Sequence, residues 1–371
     1  MTVDCIVIGA GIVGAAAARS LAEAGASVLL LEAFERGHDR GSSHGATRIF
    51  RHGYPAADYV GLTIAAREAW RLLERSSGRR ILDATGAVDH GDPAALDAIA
   101  AALGAAGLDL DELSGAEAAR RWPGLRFEER VLFSPDGGRL YAATAIDALL
   151  DAAEAAGAEL RFGARVEGIG VDDDGVVVRA GIEALRASRV VVAAGSWTPR
   201  LAGGLLQEAG RPLPRIRVTE EQPAHFPVRA GLADAAWPSF VHYPSDPDAP
   251  DVYGLLTPGE GLKVGIHGNG PEVDPDPGRR DRRIDAGRLR RLQDYVERWV
   301  PGVDAARPAS ISCLYDNAPA DDFVLDAVGP LTVATGFSGH GFKFGPVLGD
   351  LLAGLALDGT PAPERFRLAP A

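Results

Sequence analysis

Two patterns of apolar residues alternate along this chain. Short unbroken apolar runs bounded by Gly, Pro or Asp predict buried strands, and stretches with apolar positions every three or four residues predict helices. Residues 3–8 form the first β-branched run. Residues 15–24 read as an Ala-rich helix that Gly25 stops, and residues 27–31 as a second strand ending on Glu32. A helix over 59–76 would place Leu62, Ala65, Ala66, Ala69, Leu72 and Leu73 on its apolar face. A strand over 81–88 and a helix over 92–106 follow, and Ser114 with Glu117 three residues on signals a short helix. Residues 131–134 with the turn 135–138 predict a hairpin. Then come a helix over 142–156, strands over 159–162, 164–169 and 175–180, and an apolar strand entered at Arg189. Beyond Pro-rich crossings at 211–214 and 222–227, alternating runs over 240–267 predict antiparallel strands. An amphipathic helix over 281–299 would turn Ile284, Leu289, Leu292, Val296 and Trp299 inward. Strands at 311–316, 323–326 and 331–335 lead into a glycine-punctuated stretch, 336–346, and a closing helix over 347–357.

Three of these strands run directly into glycine. Gly9-Ala10-Gly11-Ile12-Val13-Gly14 joins the first strand to the first helix. In that setting Gly9 allows the tight turn, Gly11 lets the backbone approach a pyrophosphate, and Gly14 lets helix and strand pack closely. The helix N-terminus offers unpaired N–H groups and partial positive charge to the same anion. Glu32 can accept hydrogen bonds from a ribose diol and would repel a 2′-phosphate. The motif indicates a dinucleotide and leaves NAD and FAD open. Ser42 and Ser43, in the polar loop after Glu32, could wrap it. Val166, Gly195 after the strand entered at Arg189, and Gly339 and Gly341 in the last turn extend the candidate contacts. Because the strand–glycine elements are far apart, the expected fold is α/β (α+β), with a Rossmann-like dinucleotide domain discontinuous in sequence. It would comprise residues 1–85, 138–212 and 312–371, and an antiparallel β-rich substrate domain would take 86–137 and 213–311.

Composition narrows the partners. The chain has 371 residues, 46% apolar and 24% charged, which suffices for a large core. A net charge of -13 argues against nucleic-acid or anionic-membrane surfaces. No apolar run is long enough to span a bilayer, and the sequence enters its first strand at once, so a cytoplasmic protein is expected. The two cysteines, Cys5 and Cys313, provide no disulfide framework. Asp172-Asp173-Asp174 reads as a turn without the spacing of a calcium loop, and no metal site is expected.

Several motifs together resemble one family. They are the fingerprint, Ser42-Ser43-His44-Gly45-Ala46-Thr47-Arg48, Lys263-Val264-Gly265-Ile266-His267, Cys313-Leu314-Tyr315 and Gly336-Phe337-Ser338-Gly339-His340-Gly341-Phe342-Lys343-Phe344. In this order they resemble the monomeric sarcosine oxidase and N-methyltryptophan oxidase family of D-amino-acid-oxidase-like flavoproteins, over residues 1 to about 359. The resemblance implies FAD, held through an 8α-thioether at Cys313, and oxidation of secondary or N-methyl amino acids with reduction of O2 to hydrogen peroxide. It places Arg51 and Lys343 on the substrate carboxylate. Lys263 would promote reaction with oxygen, with Arg48 packed near the flavin beside it. His267 and His340 would position substrate, Tyr253 and Tyr315 would wall the pocket, and Phe342 and Lys343 would reach the cofactor. The family's habit is a monomer acting on a small amino acid and O2.

Two departures bear on specificity. Asp316 stands where the sarcosine and methyltryptophan enzymes carry a neutral hydroxyl residue, and the 244–250 loop is longer and more acidic than expected. Both fall where the substrate pocket is expected, so Asp316 joins the substrate-binding candidates. A larger N-methyl amino acid, or a cyclic one such as proline or pipecolate, is compatible. The alternatives are a cyclic imino acid oxidase or dehydrogenase of secondary metabolism, and a flavoprotein without turnover, which retention of Arg51, Lys263 and Lys343 opposes.

Overall fold

The computed structural model describes residues 2–232, 237–276 and 278–370. Its first layer grows from β1 (Thr2–Ile8), α1 (Ile12–Glu23) and β2 (Val28–Leu31), the βαβ unit expected from the pattern. The strands β1 and β2 are parallel, with Cys5 opposite Val28 and Ile8 opposite Leu31. On its other side β1 pairs in parallel with Glu183–Val192, and β2 pairs in parallel with Glu159–Arg161. Leu331–Thr335 also lies parallel to Glu183–Val192, and strands from Val166–Asp172, Gly175–Ala180 and Val324–Val328 complete an eight-stranded sheet. The sheet therefore collects strands from the beginning, middle and end of the chain. Ala15, Ala17 and Ala18 of α1 have no exposed surface. This small-residue face lets the closing helix Gly345–Leu357 approach so tightly that a Cβ on Gly349 would stand 2.5 Å from the backbone of Ala16.

A second eight-stranded sheet is mostly antiparallel. Its order is Ala309–Ser310, Ala224–Phe226, Gly261–Ile266, Val252–Thr257, Ser239–Tyr243, Ala87–Gly91, Arg130–Ser134 and Asp111–Ser114. One face packs on the helix Ala286–Trp299, and Leu292 and Val296 enter that core. The other face looks toward the first layer. A three-stranded sheet of Thr47–Phe50, Gly138–Tyr141 and Leu82–Asp83 joins the layers, with the buried Arg139 guanidinium bound to Asp83 (2.7 Å) and to the Leu256 carbonyl (3.0 Å). No helix among the described residues is long and apolar enough to cross a membrane.

Several elements differ from expectation. The hairpin expected around residue 136 does not form. Arg130–Ser134 pairs in the second sheet, whereas Gly138–Tyr141 leaves for the joining sheet. The single strand expected over 81–88 is two, broken at Gly86, whose φ of +81° turns the chain from one sheet to the other. The helix near 281 starts later, at Ala286, where Asp285 caps the Arg288 N–H; Ile284 precedes it and is 43% exposed rather than inward. Along Ala57–Ser77 the buried side is Val60, Thr63, Ala66, Trp70 and Leu73, one position round from the expected stripe, and Leu72 is exposed. Trp70 sets that rotation, because its indole donates to the Lys343 carbonyl at 2.7 Å.

The second sheet buries a histidine pair on the face away from the first layer. His90 and His242 stack at 4.1 Å, and His242 bonds Glu128 and Tyr295 at 3.0 Å each. Burial holds His90 far below its ordinary value, and His52 and His225 are brought to about 4 for the same reason. An unfolded chain protonates these groups near pH 6.5, and the folded chain does not until lower pH. Their contribution is therefore fully present above the ordinary histidine value and is lost as pH falls through it, at about 1.4 kcal/mol per unit of depression. The thermal midpoint is expected to drop by about 10 °C between pH 7 and pH 5. His90→Phe, which keeps the stack, is expected to flatten the profile. Melts showing the same slope in both proteins would remove His90 from this account.

Candidate active site

The parallel strands of the first sheet end on one side of the molecule, where a cavity of about 580 Å³ runs from the fingerprint to the second sheet. Gly9 has φ +104°, and a Cβ there would lie 2.5 Å from the Ala193 carbonyl oxygen, so the turn and the neighbouring strand admit no side chain. A Cβ on Gly14 would overlap the Gly9 carbonyl, which is the close helix–strand contact expected of it. The Ile12 N–H at the start of α1 donates to Ser43 Oγ at 3.1 Å, which brings the 42–47 loop across the helix N-terminus. Glu32 is buried where β2 ends. Its carboxylate accepts from the Ala10 N–H at 2.8 Å and the Phe34 N–H at 3.1 Å and faces His38 at 3.4 Å. Burial works to raise its pKa, and the hydrogen bonds from His38 and Ala10 outweigh that and lower it, so the group stays an anion. Val13, Ser42, Val166 and Gly195 line the same end.

Whether this cradle suits a dinucleotide can be tested on its unpaired atoms. His44 Nε2 and Ser196 Oγ are buried without a hydrogen-bond partner, and both residues line the cavity. Burial, then Arg48 and Lys263, hold His44 down to about 3, so it is a neutral imidazole. Unsatisfied polar atoms, a glycine turn with no room for Cβ and an acid at the ribose position fit the polar half of FAD.

At the middle of the cavity Arg48 donates to the carbonyls of Ser42 at 2.7 Å, Thr47 at 2.8 Å and His44 at 2.5 Å, and lies 5.5 Å over the Phe342 ring. It braces the loop and places a cation beside Lys263 and Cys313. Burial lowers the Lys263 ammonium to about 7, with Arg48 adding to the effect. Burial raises the Cys313 thiol, and Lys263 and Arg48 oppose the rise. Cys313 stands on Cys313–Asn317, opposite Glu221 of Arg217–Glu221. Two residues on, the Tyr315 ring lies directly on Gly339, where a Cβ would overlap it. Likewise, a Cβ on Gly341 would meet the Phe337 ring at 2.7 Å.

The far end gathers the substrate candidates. Lys343 Nζ donates to Tyr54 Oη and to the His340 carbonyl, both at 2.7 Å. His340 Nε2 lies 3.0 Å from the Asp321 carbonyl and so carries the proton; its bare Nδ1 then accepts from Tyr54 Oη at 3.3 Å. Arg51 rests 4.6 Å over the Tyr54 ring and pairs with buried Asp89 at 3.3 Å. His267 lines the cavity 5.6 Å from Tyr315, and burial holds it below its ordinary value. The Tyr253 ring leans over Gly265, where a Cβ would meet it at 2.6 Å.

Asp316, a substrate-binding candidate from the sequence, borders the cavity, and its carboxylate is engaged by the glycine-rich turn. It accepts from Thr335 Oγ1 at 3.2 Å and the Gly336 N–H at 2.9 Å, while its backbone carbonyl accepts from the Ser338 N–H at 3.0 Å. Burial pushes it up to about 6. Its visible work is to hold the glycine-rich turn. Four residues were not legible in the sequence as site residues: Tyr54, Asp89, Tyr243 and Asp251 all line or support this end. Alternation along 240–243 and 252–255 carried the only signal, and it does not say which face meets the first layer.

The fold and this cavity define a dinucleotide-binding protein whose cavity ends among the cationic side chains Arg51 and Lys343. The chain belongs to the FAD dependent oxidoreductase family, whose profile matches residues 4–355. It is 33% identical to the monomeric sarcosine oxidase of Arthrobacter sp. strain TE1826 over 96% of this chain and 92% of that one. It is 32% identical to the N-methyl-L-tryptophan oxidase of Salmonella arizonae, covering 100% of this chain and 98% of the other. Among solved structures, the open form of NikD, an unusual amino acid oxidase essential for nikkomycin biosynthesis, superposes with a TM-score of 0.86 at 28% identity and covers 100% of this chain and 98% of its own. The cofactor is therefore FAD, and the protein is an enzyme.

Proposed function

We propose that the chain oxidises a secondary or N-methyl amino acid to an imine, reducing O2 to hydrogen peroxide, as a monomer in the cytoplasm with FAD tethered through Cys313. One observation carries the reading. Of 38 cationic residues only Lys263 and Lys343 are lysines, and both are buried in the cavity onto which the fingerprint opens. A buried lysine costs desolvation and is otherwise a poor structural choice beside arginine. The unpaired use of Cys5 and Cys313 supports a reducing compartment.

Gly9, Gly11, Ile12, Val13, Gly14 and Glu32, with Ser42, Ser43, Val166 and Gly195, would hold the adenine and pyrophosphate half. Cys313, Arg48, Gly339, Gly341, Phe342 and Lys343 border the other half. Bound FAD would accept the hydride equivalent from the carbon beside the substrate nitrogen and return two electrons to dioxygen. Arg51 and Lys343 supply two cations for the substrate carboxylate, and Tyr54 fixes the ammonium between itself and the His340 carbonyl. A clamp held in place before binding contributes orientation. His267, kept neutral by burial, can take the amine proton that must leave before oxidation. Tyr253 and Tyr315 close the cavity's wall against water.

Anaerobic mixing of holoenzyme with sarcosine and a set of N-methyl amino acids tests the reading. At least one is expected to bleach the flavin, and under air to yield peroxide equal to the amine consumed. Bleaching without peroxide would convert the oxidase into a dehydrogenase. No bleaching by any member would defeat the amine-oxidation reading itself.

A further inference from the structure

The pairing register of the second sheet lines up the cavity's wall in rows. Asp89 pairs with Val241, Val241 with Tyr253, and Tyr253 with Gly265, so these four share the face toward the first layer. One step along each strand to the same face stand Gly91, Tyr243, Asp251 and His267. Gly91 pairs with Tyr243, and the Asp251 carbonyl accepts the His267 N–H at 2.8 Å. Asp251 thus enters the cavity between Tyr243 and His267, in the row next to Asp89, and it lines the cavity with them.

Its carboxylate takes no hydrogen bond from any described residue, and burial raises its pKa against the pull of Arg51, the one cation acting on it. Arg51 is already paired with Asp89. At the cavity mouth Asp322 is likewise engaged, by Arg365 at 2.6 Å and Tyr59 at 3.1 Å, and His267 is neutral. The cations at this end are Arg51 and Lys343, with burial opposing the charge on Lys343, and the carboxylates are Asp89, Asp251 and the more exposed Asp321. A substrate carboxylate on Arg51 and Lys343 adds negative charge to a partly desolvated space that already holds carboxylates, and a neutral amine does not cancel it.

We propose that the substrate brings its own compensating charge: a protonated side-chain group, ammonium or guanidinium, received by Asp251, so that the enzyme selects N-alkyl derivatives of basic amino acids. This rests on the amine-oxidation reading and deepens it. A charge-assisted hydrogen bond from the substrate would satisfy Asp251 and offset that negative charge at once. Asp251 then determines specificity without touching the reacting carbon.

The test compares Nα-methyl-lysine, N-methylnorleucine and N-methylglutamate, which share a linear frame and differ in side-chain charge. With holoenzyme, kcat/KM for the lysine derivative is expected to exceed that for norleucine by about tenfold or more, with glutamate lowest. Asp251→Asn is expected to reduce the lysine derivative's kcat/KM about tenfold more than the norleucine derivative's, and Asp251→Glu to restore part of the difference. Wild-type preference for norleucine, or equal losses for both in Asp251→Asn, would overturn the inference while leaving amine oxidation intact. If neither these compounds nor sarcosine bleach the flavin, the amine-oxidation reading fails and takes this inference with it. Wild-type data alone decide the point should the variants not fold.

Discussion

Cys313→Ala is expected to abolish all acid-stable flavin. Wild-type protein precipitated in acid should retain yellow colour on the polypeptide, and the variant should leave it in the supernatant or be isolated colourless. The expectation comes from position and charge together. Cys313 is buried, lines the same cavity as the fingerprint and lies within the field of Lys263 and Arg48. A thioether requires a thiolate, and burial alone opposes one by raising the thiol's pKa. The two neighbouring cations act in the favourable direction, so attachment is expected to slow when either is removed. Arg48→Ala should therefore lower the covalent fraction as well as loosen the 42–47 loop that Arg48 ties through three carbonyls. Free flavin released by acid from the wild type would refute the tether and leave FAD bound by the fold alone.

The second large effect is expected at Lys263. Lys263→Met should slow oxidation of the reduced flavin by about 10²–10³-fold, the cost of removing one preorganised charge at a developing anion. The anaerobic reductive step should change far less, because the proposed carboxylate clamp is elsewhere, at Arg51 and Lys343. Stopped-flow measurement of the two half-reactions separates these outcomes, and equal slowing of both would remove Lys263 from the oxygen step. A pH dependence follows from the same group. Lys263 is held down to about 7 by burial and Arg48, so its charge is present below that value and lost as pH rises through it. In the wild type the oxygen reaction is expected to fall over that interval, and in Lys263→Met to be insensitive to it.

These two residues show how differently the parts of the site could be read. Lys263 and Lys343 were identifiable because lysine amid apolar and glycine residues is chemically conspicuous, and family resemblance assigned them roles. Asp316 was conspicuous for the same reason, yet its carboxylate serves the Gly336 turn. Sequence could mark it as unusual but could not show which way its side chain points. Asp251 and Asp89 were invisible. Asp89 is an ordinary acid within a strand and Asp251 one at a strand's start, and only pairing across three strands puts them on one face with Arg51 opposite. Tyr54 sat in a loop with no pattern at all, and its importance arises from a 2.7 Å contact to a lysine 289 residues away.

By itself the sequence determined the βαβ unit, the glycines that let it close, the acid at its ribose end and the discontinuous return of the chain to the same sheet. Those features depend on local physics: apolar runs, positive φ, helix N-termini and the absence of Cβ where backbones touch. Tertiary structure alone decided that residues 131–141 divide between two sheets, that Trp70 sets the rotation of its helix, and that Asp316 binds backbone. It also brought together Arg51, Tyr54, Asp89, Asp251 and Lys343. The reason is that strand alternation records two faces without naming the buried one, and the charge balance of a cavity is a sum over residues distant in sequence.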